Sequence, residues 1–77
     1  MIATVVLADE STETVVVPGS GRFDVKADGE LFILGTDSEG SEIGSRYLAA
    51  GTWLRAWFDD AGPGRPFASV TAPQPGR

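Results

Sequence analysis

The 77-residue chain has no cysteine and no histidine. Without cysteine there is no disulfide and no thiolate metal site, a usage that fits a reducing compartment. Without histidine the commonest metal ligand and the commonest general base are both missing. Ser11, Ser20, Ser38, Ser41, Ser45 and Ser69 therefore have no imidazole to activate them as nucleophiles. Positive charge is scarce: one lysine, Lys26, and five scattered arginines leave a net charge of −5. That is the opposite of the basic patch a nucleic-acid binder carries. Long apolar runs are absent as well. Met1–Ala8 is too short for a signal segment, and no stretch approaches a membrane span. The expectation is a soluble, non-exported, non-enzymatic protein with no cofactor, no nucleic-acid partner and no membrane partner.

What is present is β-prone and turn-rich. Ile2–Ala8, Thr14–Val17, Thr52–Phe58 and Phe67–Ala72 are short β-branched or aromatic runs, bounded by Asp9–Thr12, Pro18–Gly21 and Asp59–Pro66. Thr36–Ser45 reads as a polar loop with a brief extended piece at Ile43. Arg46–Ala50 reads equally as a short strand or as one helical turn closed by Gly51. No amphipathic helix and no internal repeat is visible. The pattern predicts an all-β antiparallel sandwich or jelly-roll-like barrel of six to seven strands, one domain over 1–72, with a proline-rich tail over 73–77.

Arg22–Gly35 is the organising stretch, because Asp28-Gly29 is a strong hairpin signal. A two-residue turn there sets Val25 opposite Phe32 and Phe23 opposite Leu34. Phe23, Val25, Phe32 and Leu34 then share a core face, while Asp24, Lys26, Leu31 and Ile33 face outward. Alternation along Thr52–Phe58 likewise places Leu54, Ala56 and Phe58 on one side and Trp53, Arg55 and Trp57 on the other. Either the strand is packed on both faces with Arg55 reaching water, or its aromatic face meets a partner. So short a chain buries only roughly 60–65% of its unfolded surface. The expectation is therefore that Trp53, Arg55, Trp57, Leu31 and Ile33 form an oligomer interface, with cation–π stacking of Arg55 between the tryptophans. Asp37, Glu39 and Glu42 lack the spacing of a calcium loop and read as a solvated turn. Asp59-Asp60 reads the same way. Gly19-Ser20-Gly21 is no phosphate cradle, since no lysine or helix start follows it.

The order V-V-V-P-G-S-G-R-F-D-V-K, G-E-L-F-I-L-G, Y-L-A-A-G-T-W-L-R-A-W-F, from Val15 to Phe58, resembles the small all-β accessory proteins of tailed bacteriophages, especially capsid decoration (cement) proteins. The resemblance is one of pattern and size. It implies a homotrimer over a symmetry axis of the capsid, bound to the major capsid protein, on the virion surface after synthesis in the host cytoplasm. It also implies capsid contacts by polar loops and tail, for which Asp37, Glu39, Glu42, Arg65 and Arg77 are the candidates. Many such proteins grip the shell with an N-terminal arm; here the chain enters a strand almost at once, leaving Pro73–Arg77 as the candidate arm. A carbohydrate- or ligand-binding module using Trp53, Trp57 and Tyr47 is the alternative. An OB-like or SH3-like nucleic-acid barrel is a further one that the charge opposes.

Overall fold

A computed structural model describes residues 1–59 and 67–73. Among the described residues the chain is all-β, with seven strands: β1 (Ile2–Leu7), β2 (Thr12–Val16), β3 (Arg22–Val25), β4 (Leu31–Thr36), β5 (Glu42–Leu48), β6 (Trp53–Phe58) and β7 (Phe67–Thr71). They form two antiparallel sheets, ordered β2-β1-β6-β7 and β3-β4-β5. The arrangement is a small sandwich. Arg46–Leu48 takes the strand form as the end of β5, and Ala49 and Ala50 lead out of it into a turn at Gly51. The polar loop expected over Thr36–Ser45 shrinks to the turn between β4 and β5, because both strands run into it. Arg65, Arg77, Asp60 and most of Asp59–Pro66 and Pro73–Arg77 lie outside the described residues.

The core is apolar throughout. Ala3, Val5, Val15, Val17, Leu31, Ile33, Leu48, Trp53, Ala56 and Phe58 form one buried cluster, with no buried polar or charged residue among those described. Phe23 stacks on Phe58 across the sheets, with centroids 4.3 Å apart and ring planes 12° off parallel. Such a pair contributes about 0.5–1.5 kcal/mol beyond its buried area. The β2–β3 connection closes over β4: Thr36 N–H donates to the Pro18 carbonyl (2.9 Å), and Ser20 N–H donates to Thr36 Oγ1 (2.8 Å). Gly35 makes this approach possible, since a Cβ there would stand 2.5 Å from the Pro18 carbonyl oxygen.

The β1–β2, β3–β4 and β4–β5 hairpins share one turn. Leu7 N–H donates to Ser11 O while Glu10 N–H donates to Leu7 O; Lys26 with Glu30 and Gly29, and Asp37 with Ser41 and Gly40, repeat the pattern. Each is a three-residue loop whose last member is left-handed: Glu10 (φ 72°), Gly29 (φ 100°) and Gly40 (φ 85°). This is a type I turn ending in a G1 bulge.

That turn overturns the expected hairpin register. Val25 pairs with Leu31 and Phe23 with Ile33. Asp28 is not left-handed, as a two-residue type I′ turn would require, so Gly29 is the third loop residue rather than the second. One residue of slip exchanges the faces of a strand. Leu31 and Ile33 are fully buried, and Phe32 and Leu34 move to the outer side.

Candidate functional site

The outer face of the four-stranded sheet carries the aromatic and cationic groups that the sequence singled out, but not all of them. In β6 the pairing with β1 skips a residue: Val6 faces Arg55 and Leu7 faces Trp53, leaving Leu54 as a bulge. Trp53 therefore points inward together with Ala56 and Phe58, and is 1% exposed. Its indole Nε1 donates to the Gly29 carbonyl at 2.8 Å, satisfying both groups inside the fold. The expectation that Trp53, Leu31 and Ile33 offer an interface is thus corrected: all are core. So is the placing of Leu54 in the core, since it is exposed. The expected stacking of Arg55 between two tryptophans reduces to one ring.

Arg55 and Trp57 do share the outer face. The Arg55 guanidinium carbon lies 5.8 Å from the Trp57 ring centroid, within cation–π range. Trp57 is half-buried and fixed by Asp59, whose Oδ1 accepts from its Nε1 at 2.8 Å. Asp59 Oδ2 accepts from Thr4 Oγ1 at 2.5 Å, so the carboxylate joins β1 to the end of β6. Beside this group the cross-strand pair Ile2–Val16 exposes apolar surface, with Val16 at 75% and Ile2 at 42%. Leu54 is exposed as well, but at the bulge, toward the other end of β6. Sequence reasoning missed Asp59, Ile2 and Val16. The signal was the alternation Thr12, Thr14, Val16, which marks an outward row along β2.

The outer face of the three-stranded sheet holds a second set. Phe32 and Tyr47 are cross-strand partners with centroids 4.9 Å apart and rings tilted by 53°. Lys26 Nζ sits 5.4 Å from the Phe32 centroid and donates to Asp24 at 2.8 Å. Tyr47 Oη donates to Glu30 at 2.7 Å, and this bond to a carboxylate pushes the phenol pKa above its ordinary 10.0. Arg22 and Glu42 pair across the same face, the hydrogen bond holding Glu42 below its ordinary carboxyl value.

Of the expected capsid contacts, Asp37, Glu39 and Glu42 lie at the β4–β5 turn. Asp37 Oδ1 accepts from Glu39 N–H and Ser41 N–H, both at 2.9 Å, and so serves its own turn. Glu39 lies in that turn, and Glu42 opens β5 and is engaged by Arg22. Among the described residues no three histidine, cysteine, aspartate or glutamate side chains come together as a metal site. An open groove of about 810 Å³ lies at the end of the sandwich where Gly29, Gly51, Trp53, Arg55 and Pro73 meet. It is lined mainly by backbone and small side chains, and holds no paired acid and base. Comparison with family models, with curated proteins and with solved structures finds no match.

Proposed function

We propose that the chain is a structural, non-enzymatic module of the capsid-decoration type. On this reading it assembles with copies of itself, three being the number the phage resemblance implies, and stabilises a viral shell by binding the major capsid protein at the virion surface. The observation that carries the reading is the outer side of the four-stranded sheet, where Arg55 stacked on Trp57 shares a face with exposed Ile2 and Val16. Apolar surface rimmed by such groups is characteristic of association, with tryptophan and arginine the usual centres of binding energy. Several weak contacts from one rigid assembly act together on a repeating shell. The test has two arms: mass by light scattering, and co-sedimentation with expanded shells that lack the protein. Trp57→Ala should weaken association by about 2 kcal/mol if the ring is a centre of contact. A wild-type chain that stays monomeric and never sediments with shells refutes the proposal.

The second reading is a glycan-binding module. It is favoured by one observation, the Phe32–Tyr47 pair lying side by side on an outer face beside Glu30, Asp24 and Lys26. Glycan titration followed by the Tyr47 resonances separates it from the first.

A further inference from the structure

The strongest remaining feature is the edge of the four-stranded sheet formed by β2. In its pairing with β1, Val17 N–H donates to Met1 O and Leu7 N–H to Ser11 O. By the two-residue period of an antiparallel ladder, Glu13 and Val15 also bond to β1. Thr12, Thr14 and Val16 therefore aim their N–H and C=O groups away from the sheet. Among the described residues none of those groups has a backbone partner.

The other edges are guarded. β5 has a register shift against β4 near Ser45, and β7 has one against β6. β3 has only four residues and carries the Lys26–Asp24 ion pair at its end. β2 has no proline, no lysine and no register shift, and its one charge, Glu13, is neutralised within the chain by Arg46. An edge without these devices is a template for another strand.

We infer that β2 pairs antiparallel with β2 of a second copy of this chain, about a two-fold axis through Thr14. The register is chosen by charge and by donors. Centred on Thr14, Thr12 lies opposite Val16 of the partner subunit and Thr14 opposite Thr14 of the partner subunit. Every outward N–H then meets an outward C=O. Glu13 lies opposite Val15 of the partner subunit, and its carboxylate is already held by Arg46 of its own chain. Centring one residue earlier sets Glu13 against Glu13 of the partner subunit, a like-charge pair that destabilises. Centring one residue later sets Thr12 against Pro18 of the partner subunit, which has no N–H to give. The favoured register also sets Thr12 of the partner subunit beside Val16, which among the described residues is the most exposed large apolar side chain. The contact is isologous, as a two-fold interface must be. This inference rests on the self-association proposed above but routes a contact through the β2 edge, where a two-fold axis joins copies in pairs rather than in threes. It does not depend on a shell.

Thr14→Pro tests it. The Thr14 N–H points outward, so proline removes no hydrogen bond from the β1–β2 ladder, and an edge strand accepts proline on that side. Val16→Lys, at a position 75% exposed, is the second variant. Sedimentation equilibrium at about 100 μM, where micromolar association is readily seen, should give an even number of chains for the wild type. Both variants should raise the dissociation constant at least about tenfold, with circular dichroism unchanged and the melting midpoint lowered only at concentrations where the wild type is associated, since pairing stabilises the folded chain by mass action. Variants that are folded yet associate like the wild type overturn the inference. So does a three-chain species insensitive to Thr14→Pro but lost in Trp57→Ala, which leaves the face proposal standing. A wild type that is monomeric at this concentration overturns it too, and shell co-sedimentation then decides separately whether the decoration reading survives.

Discussion

The β1–β2 and β3–β4 hairpins turn through the same hydrogen-bond pattern, over Ala8-Asp9-Glu10 in one and Ala27-Asp28-Gly29 in the other. In both loops the aspartate caps the residue two further on: Asp9 Oδ1 accepts from Ser11 N–H and Asp28 Oδ1 from Glu30 N–H. They differ in the left-handed residue and in what lies over the tip. Glu10 is fully open to solvent, whereas Gly29 is buried and its carbonyl receives the Trp53 indole. The tip of the first hairpin is tied to a distant residue through its backbone, Ala8 N–H donating to the Thr52 carbonyl at 3.0 Å. The tip of the second is latched by a side chain distant in sequence, and this latch joins the two sheets beside the open groove.

Breaking the latch should give the largest effect. Trp53→Ala removes a buried ring and leaves the Gly29 carbonyl without its donor. A loss of about 3–5 kcal/mol is expected, comparable to the whole stability of a domain this small. Denaturant unfolding should show a chain close to its midpoint in plain buffer. Gly29→Ala comes next. The new Cβ meets Ala50 Cβ at 3.5 Å, an ordinary contact, so the cost is that of a left-handed backbone, about 1–2 kcal/mol. If the loss is negligible, the turn has rearranged and the common geometry of the two loops is not required.

The first hairpin should respond in the opposite sense. Glu10→Gly relieves a left-handed non-glycine residue, and the gain exceeds the added freedom of the unfolded chain. An increase of about 0.5–1 kcal/mol is expected, read as a melting midpoint raised by a few degrees, at about 4–8 °C per kcal/mol for this size. The smallest effect concerns pH. Asp9 is held below its ordinary 3.8 first by the Ser11 hydroxyl and then by the Ser11 N–H. Glu13 is held below 4.5 by its hydrogen bond from Arg46. Both carboxyls bind protons more weakly folded than unfolded. Their stabilisation is complete above the ordinary values and is lost as pH falls through the lowered ones. Asp9→Asn with Glu13→Gln should flatten the acid limb of the stability curve below about pH 4. An unchanged limb would place the acid sensitivity elsewhere, for example at Asp24, held low by Lys26.

Much of the strand content was legible along the chain, and the site only partly. The β-branched run at Ile2–Leu7 and the aromatic run at Trp53–Phe58 became strands because such side chains suit a pleated, half-buried surface. Arg55 and Trp57 were placed correctly on one outer face, since they sit beyond the bulge and keep their alternation. Trp53 was misplaced because Leu54 interrupts that alternation, and nothing in T-W-L-R-A-W-F marks where the interruption falls. Phe32 and Leu34 exchanged places with Leu31 and Ile33 through a single extra loop residue at Asp28-Gly29.

Composition alone settled that the chain is β-rich, that it turns at glycine, proline and aspartate, and that histidine and cysteine chemistry is closed to it. Tertiary structure decided which side of each strand is inside. A strand repeats every two residues, so one residue more in a turn or a bulge inverts everything beyond it. Whether that residue is inserted depends on partners far along the chain, such as the Trp53 indole on the Gly29 carbonyl.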